Sequence, residues 1–135
     1  MQEERGDIWE KRAAGHWIGI TTNGTVTRDG RLVMGRGVAQ QARDRMLGLD
    51  RVLGDQVRRH GNEPIFLDSR SDRPGIFTFP VKHRWWQKAD LDLIKRSAEL
   101  CMEISKRKGF EGKVFYLPRP GCGNGGLRWE DVRPV

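Results

Sequence analysis

Apolar residues come in short blocks along this chain, and their spacing changes from strand-like to helix-like several times. In "HWIGITTNG" the residues Trp17, Ile18 and Ile20 predict a strand that ends at Asn23-Gly24. The following "TVTRDGRLV" predicts a hairpin with Asp29-Gly30 at its turn. From Gly37 onward, Val38, Ala39, Ala42, Met46 and Leu47 follow helical spacing. A second helix is predicted over Asp50–Arg59, with Gly61 just beyond it where a left-handed cap is often needed. Two short apolar strands, "PIFLD" and "GIFTFPV", flank the polar turn "SRSDRPG". The longest amphipathic pattern spans Ala89 to Lys108, with Leu91, Ile94, Ala98, Cys101 or Met102, and Ile104 or Ser105 on its buried stripe. Lys106, Arg107 and Lys108 fall at its carbonyl end, favourable for the helix dipole, and Gly109 ends it. "KVFYLP" predicts one more strand. Strands alternating with helices imply a layered α/β fold with a largely parallel sheet, whose ligand site lies at the carboxyl ends of the strands.

That placement gives meaning to "GCGNGGLRW", Gly121 to Trp129, which leaves the last strand and precedes a helix start at Trp129-Glu130-Asp131. Glycine costs stability where it is not needed. Here it lets a phosphate approach backbone N–H groups with no side chain in the way. Gly121, Gly123 and Gly126 match G-x-G-x-x-G, but a dinucleotide fingerprint needs a following βαβ unit and an acid about 20 residues on, and the sequence stops at Val135. No Gly-Lys-Ser/Thr follows, which excludes a Walker A loop. A second glycine-rich loop, "MGRGVAQQA" with Gly35 and Gly37, precedes the first clear helix. Two such loops at strand ends can grip a diphosphate from two sides.

Composition narrows the partners. The 135 residues form one domain large enough for a core. The formal net charge of +7 favours polyanions such as nucleic acid, nucleotides or phosphates. No apolar run is long enough to span a membrane, and the charged opening "MQEERGDIWEKR" is not a secretory signal. The two cysteines, Cys101 and Cys122, have no paired spacing, so zinc-finger and disulfide readings lack support, and no metal site is expected. Two lone thiols suit a reducing cytoplasm. No repeat, low-complexity segment or linker interrupts the chain.

These residues together resemble the macro domains, which bind ADP-ribose, over nearly the whole chain. The resemblance implies a three-layer α/β/α macro domain with a mixed, largely parallel sheet over residues 1–135, either small or short of its final C-terminal helix. "GDIW" is similar to the family's opening motif; this gives Asp7 the adenine amino group and Ile8 a wall of the adenine pocket. "ITTNG" gives Asn23 a contact to the distal ribose. Gly35, Gly37, Val38 and Ala39 then belong to a first loop against the distal ribose and diphosphate. Pro120, Gly121, Cys122, Gly123, Asn124, Gly125, Gly126 and Leu127 form the second phosphate loop.

"FPVKHRWWQKADLDLI" is similar to one branch, which includes DNA ADP-ribosyl glycohydrolase antitoxins and terminal ADP-ribose glycohydrolases; it gives Lys82 a catalytic role. Protein-directed members carry an aspartate where this chain has Gly125, and a glycine there looks more like the DNA-directed members. As a nucleophile Lys82 needs a lowered pKa, from burial or from nearby Lys88, Arg84 or His83. His83, Arg84, Trp85, Trp86 and Lys88 interleave basic and aromatic groups and are candidate nucleic-acid contacts. The expected activity is hydrolytic release of ADP-ribose from DNA or protein. The alternatives are a non-catalytic ADP-ribose reader and a phosphatase for ADP-ribose 1''-phosphate. ADP-ribose is ligand or product, no cofactor is implied, and a cytoplasmic monomer is expected.

Overall fold

The structure, a computed structural model, describes residues 7–13, 15–67, 75–107 and 115–119. Four strands form one sheet in the order β2-β3-β1-β4. They are β1 (Trp17–Thr22), β2 (Phe66–Leu67), β3 (Ile76–Pro80) and β4 (Phe115–Tyr116). β1 lies parallel to both β3 and β4, and only β2 on the edge runs antiparallel, to β3. The sheet is therefore mixed and mostly parallel. Helices α1 (Ile8–Ala13), α2 (Gly37–Arg45), α3 (Leu49–His60) and α4 (Leu91–Ser105) complete the described elements.

Alternation along β1 and β3 divides the interior into two halves. Ile18, Ile20 and Ile76 face one side, where they pack with Trp9 of α1, Ala39 and Ala42 of α2, and Leu49 and Leu53 of α3. Trp17, Phe77 and Phe79 face the other, against Ile94 and Cys101 of α4. Successive side chains of a strand point to opposite faces, so five or six residues per strand suffice to feed both cores. The result is helix, sheet and helix in three layers, as the alternation of elements predicts.

Several boundaries differ from those the pattern predicts. The Thr25–Val33 hairpin is reduced to one antiparallel bridge, Val26 to Leu32, with Gly30 at φ +88° in its turn. Leu47, expected on the buried stripe of α2, lies beyond that helix and is fully exposed. α4 starts at Leu91 rather than Ala89 because Asp90 caps it, its Oδ1 accepting from the Asp92 N–H at 2.9 Å. Its buried stripe is Leu93, Ile94, Ser97 and Cys101, and Met102 is exposed. Ser97 is tolerated inside because its hydroxyl donates to the Pro80 carbonyl at 2.8 Å, which also pins the end of β3 to α4. Burial pushes the Cys101 thiol up to about 12, so this cysteine is packing and not a nucleophile.

Candidate functional site

The three parallel strands deliver their carboxyl ends to one edge of the sheet. β1 exits into Asn23-Gly24, β3 into Val81-Lys82, and β4 toward the second glycine loop. The Val81 N–H donates to the Thr22 carbonyl at 3.0 Å, so the first two exits are joined directly. Pro120, Gly121, Cys122, Gly123, Asn124, Gly125, Gly126 and Leu127 lie outside the described residues.

Asn23 holds its own neighbourhood together. Its Oδ1 accepts from the Thr25 N–H at 2.9 Å and its Nδ2 donates to the Val33 carbonyl at 3.0 Å. The β1 exit is thereby tied to the segment that runs into the first loop. An amide carries two donors and two acceptor positions, so each side retains capacity for a ligand.

Gly35, Arg36 and Gly37 are exposed, and among the described residues a Cβ on either glycine would meet nothing within 4 Å. Gly37 opens α2 at φ +60°, a conformation that side chains strain. Arg36 at the N-cap makes no capping bond through its side chain. Val38 and Ala39 turn inward and pack on the core with Ile8. The loop thus presents backbone at the start of a helix, the arrangement that suits an anion.

Asp7 is the N-cap of α1. Its Oδ1 accepts from the Trp9 N–H at 2.9 Å. Trp9, nearly buried, joins α1 to α2: its indole N–H donates to Gln41 Oε1 at 2.7 Å, and the Arg45 guanidinium lies 4.3 Å over its ring. This fixes Asp7 and Ile8 relative to the helix that carries the first loop.

Lys82 is half-buried, and its ammonium donates to the Trp85 carbonyl at 3.3 Å. Its pKa is lowered from the ordinary lysine value, first by burial and then by the charge of Arg36. The cation that acts is thus in the first loop. The expected neighbours His83, Arg84 and Lys88 are not the cause; all three are exposed. His83 is engaged elsewhere, its Nε2 2.8 Å from Asp90 Oδ2, and that contact holds the Asp90 carboxyl below its usual range. Trp85 and Trp86 are 51% and 65% exposed, so neither belongs to the core.

The structure therefore brings together Asn23, the first loop and Lys82, with Trp85 and Trp86 beside them. Sequence reasoning missed Arg36, Gly24, Thr25 and Asn62 around Lys82. Arg36 was legible in kind, as a cation between two loop glycines. Thr25 and Asn62 act through their side chains and Gly24 through its N–H, each on a peptide group of the Lys82 segment, and such contacts to backbone leave no sequence signature. Among the described residues no group of His, Cys, Asp and Glu could hold a metal ion, and no helix is long and apolar enough to cross a membrane.

No family model matches the chain, and no curated protein matches it. Solved structures do. The macrodomain of Mycobacterium tuberculosis DarG superposes with a TM-score of 0.78 at 26% identity, covering 97% of this chain and 83% of that one. The macrodomain of Thermus aquaticus DarG gives a TM-score of 0.73 at 25% identity over 96% and 83%. Thermosipho africanus DarTG, solved in complex with ADP-ribose, gives 0.80 at 24% identity; the match covers 96% of this chain and 35% of that protein.

Proposed function

Taking the chain as a macro domain of the DarG branch, we propose that it binds ADP-ribose at the carboxyl edge of its sheet and releases it hydrolytically from a modified target through Lys82. The observation that carries this reading is the meeting of Lys82, Asn23 and the first loop, with burial first and the loop's own Arg36 second lowering the lysine pKa. A Thermosipho protein of the same fold was solved with ADP-ribose, which supports the choice of ligand.

In this proposal the backbone of Gly35 and Gly37 faces the diphosphate, Asn23 the distal ribose, and Asp7 with Ile8 the adenine. The family resemblance assigns Pro120 to Leu127 to the phosphates as well. Lys82 then meets the anomeric carbon of the distal ribose. In its neutral form the amine bonds to that carbon while the carbon's bonds to the acceptor and to the ring oxygen break, and its two protons pass to the acceptor and to the ring oxygen, which becomes a hydroxyl. Water then breaks the carbon–nitrogen imine, which returns the amine and frees ADP-ribose. A lowered pKa is what this step requires, because only the neutral amine attacks.

A nucleic-acid acceptor is favoured by two neighbouring indoles exposed beside Lys82, flanked by Arg84 and Lys88. Aromatic faces stack bases and basic groups meet phosphates. Gly125 agrees with this choice, because an aspartate stands there in protein-directed members.

The test is a side-by-side release assay on ADP-ribosylated single-stranded DNA, ADP-ribosylated protein and ADP-ribose 1''-phosphate. Release from DNA is expected, with a borohydride-trapped adduct on the wild type and none on Lys82→Ala. Turnover of the phosphate ester alone would make the protein a phosphatase, and binding without turnover on any substrate would make it a reader.

A further inference from the structure

The segment that carries Lys82 is gripped by residues distant from it in the chain. Asn62 Nδ2 donates to the Lys82 carbonyl at 2.9 Å. The Gly24 N–H donates to the His83 carbonyl at 3.0 Å. Thr25 Oγ1 accepts from the Trp85 N–H at 3.0 Å, across 60 residues of sequence. Trp85 is also the residue whose carbonyl receives the Lys82 ammonium. One residue is thus held at its N–H by Thr25 and holds the lysine at its C=O.

The fold does not need this grip in order to close the loop. The base of the loop is already shut by the Asp90 N–H, which donates to the Val81 carbonyl at 2.9 Å, and by Ser97 on Pro80. The Thr25 bond lies further out, where it fixes the tip of the turn. Contact there is close: a Cβ on Gly24 would stand 2.8 Å from the His83 carbonyl and 3.0 Å from the Asn62 side chain. No side chain fits between the two segments.

We propose that Thr25 is a positioning residue for Lys82, its hydroxyl holding the Trp85 peptide so that the Trp85 carbonyl aims the amine, with Asn62 and Gly24 clamping the same segment from the other end. This rests on Lys82 being the reacting group. An N–H donor needs an acceptor oxygen at position 25, so valine, of the same shape, removes the interaction and serine keeps it.

The experiment is single-turnover release of ADP-ribose from an ADP-ribosylated single-stranded DNA oligonucleotide, with ADP-ribose affinity measured by calorimetry. Wild type, Thr25→Val, Thr25→Ser, Gly24→Ala and Lys82→Ala are compared across pH. Thr25→Val should slow release roughly tenfold, as expected for losing about one hydrogen bond, with affinity unchanged within about twofold. The pH of half-maximal rate should move up, because a loosened amine regains water and its pKa returns toward the ordinary value. Thr25→Ser should restore both. Gly24→Ala, which displaces the same segment without touching the hydroxyl, should slow release in the same direction and covers the case in which the valine variant fails to fold. A wild-type rate and pH profile in Thr25→Val would overturn the proposal while leaving Lys82 in its role, and so would a slower rate matched by an equal loss of affinity. Full turnover by Lys82→Ala would overturn both the proposal and the reading beneath it.

Discussion

The two loops that meet at the carboxyl edge of the sheet are built in opposite ways. The loop after β3 is held at Val81, Lys82, His83 and Trp85: by Thr22 and Asp90 at its base, and by Asn62, Gly24 and Thr25 further out. The loop before α2 is exposed, and among the described residues nothing lies within 4 Å of a Cβ on either of its glycines. A reacting amine loses rate when it wanders, so its loop benefits from being fixed. A phosphate needs donors that are still unspent, so its loop benefits from being bare. Under the proposed function this contrast corresponds to chemistry and binding, and substitutions should separate the two.

The largest effect should come from Lys82→Ala. Turnover should fall about 100-fold or more, while calorimetry should give an ADP-ribose affinity within a few-fold of wild type. Lys82→Arg sharpens the point: it keeps the charge but cannot form an imine, so it should be as inactive as alanine. Partial activity in the arginine variant would assign the lysine an electrostatic role.

Gly37→Glu should do the reverse. A side chain at φ +60° costs about 1–2 kcal/mol, and its carboxylate would repel the diphosphate. Affinity for ADP-ribose should fall at least tenfold, and substrate forced on at saturating concentration should still be released. Undiminished affinity with a normal melting curve would return this glycine to the status of an ordinary turn. Trp86→Ala probes the outer face of the gripped loop. It should weaken binding of unmodified single-stranded DNA by about 1–2 kcal/mol in a fluorescence titration and leave free ADP-ribose binding unchanged.

Asp7→Asn should have a smaller effect, about 1 kcal/mol in ADP-ribose affinity, because the amide still caps α1 and only the charge toward the adenine is lost. Asp7→Ala should lose the cap as well and lower the melting temperature.

The pH dependence of turnover follows from the lowered pKa of Lys82. Below its folded pKa the amine is protonated, so the rate should rise with pH and level off below the ordinary value of about 10.4. The same shift has a consequence for stability. Between the lowered pKa and that of the unfolded chain, the unfolded state binds more protons, so stability should rise slightly with pH there. A rate that falls with rising pH over this range would favour a protonated lysine as the working form.

The layered fold, and the edge to which its parallel strands send their carboxyl ends, were legible because both depend on the strands. Ile18, Ile20, Ile76 and Phe77 alternate plainly, and parallel strands must send their ends to one side. The position of Lys82 at the end of an apolar strand was legible; its role comes from the family resemblance. The hairpin is shorter than the pattern predicts: the Thr25 carbonyl still accepts from the Val33 N–H, but only one antiparallel bridge forms, and the side chains of Thr25 and Asn23 turn to Trp85 and Val33. Leu47 follows the helical period of α2, but the helix stops at Arg45 and the residue falls in a turn, where period no longer decides burial. Of the two sources expected for the lysine pKa shift, burial is the larger cause, while the nearby cation is Arg36 at the start of α2 and not a chain neighbour.

The most direct test is a calorimetric titration of the wild-type protein with ADP-ribose and, separately, with AMP. Micromolar ADP-ribose binding, roughly −8 kcal/mol, is expected, with much weaker AMP binding, because AMP lacks the diphosphate and distal ribose that the proposal assigns to the first loop and Asn23. Absence of ADP-ribose binding, or equal affinity for both ligands, would contradict the proposal.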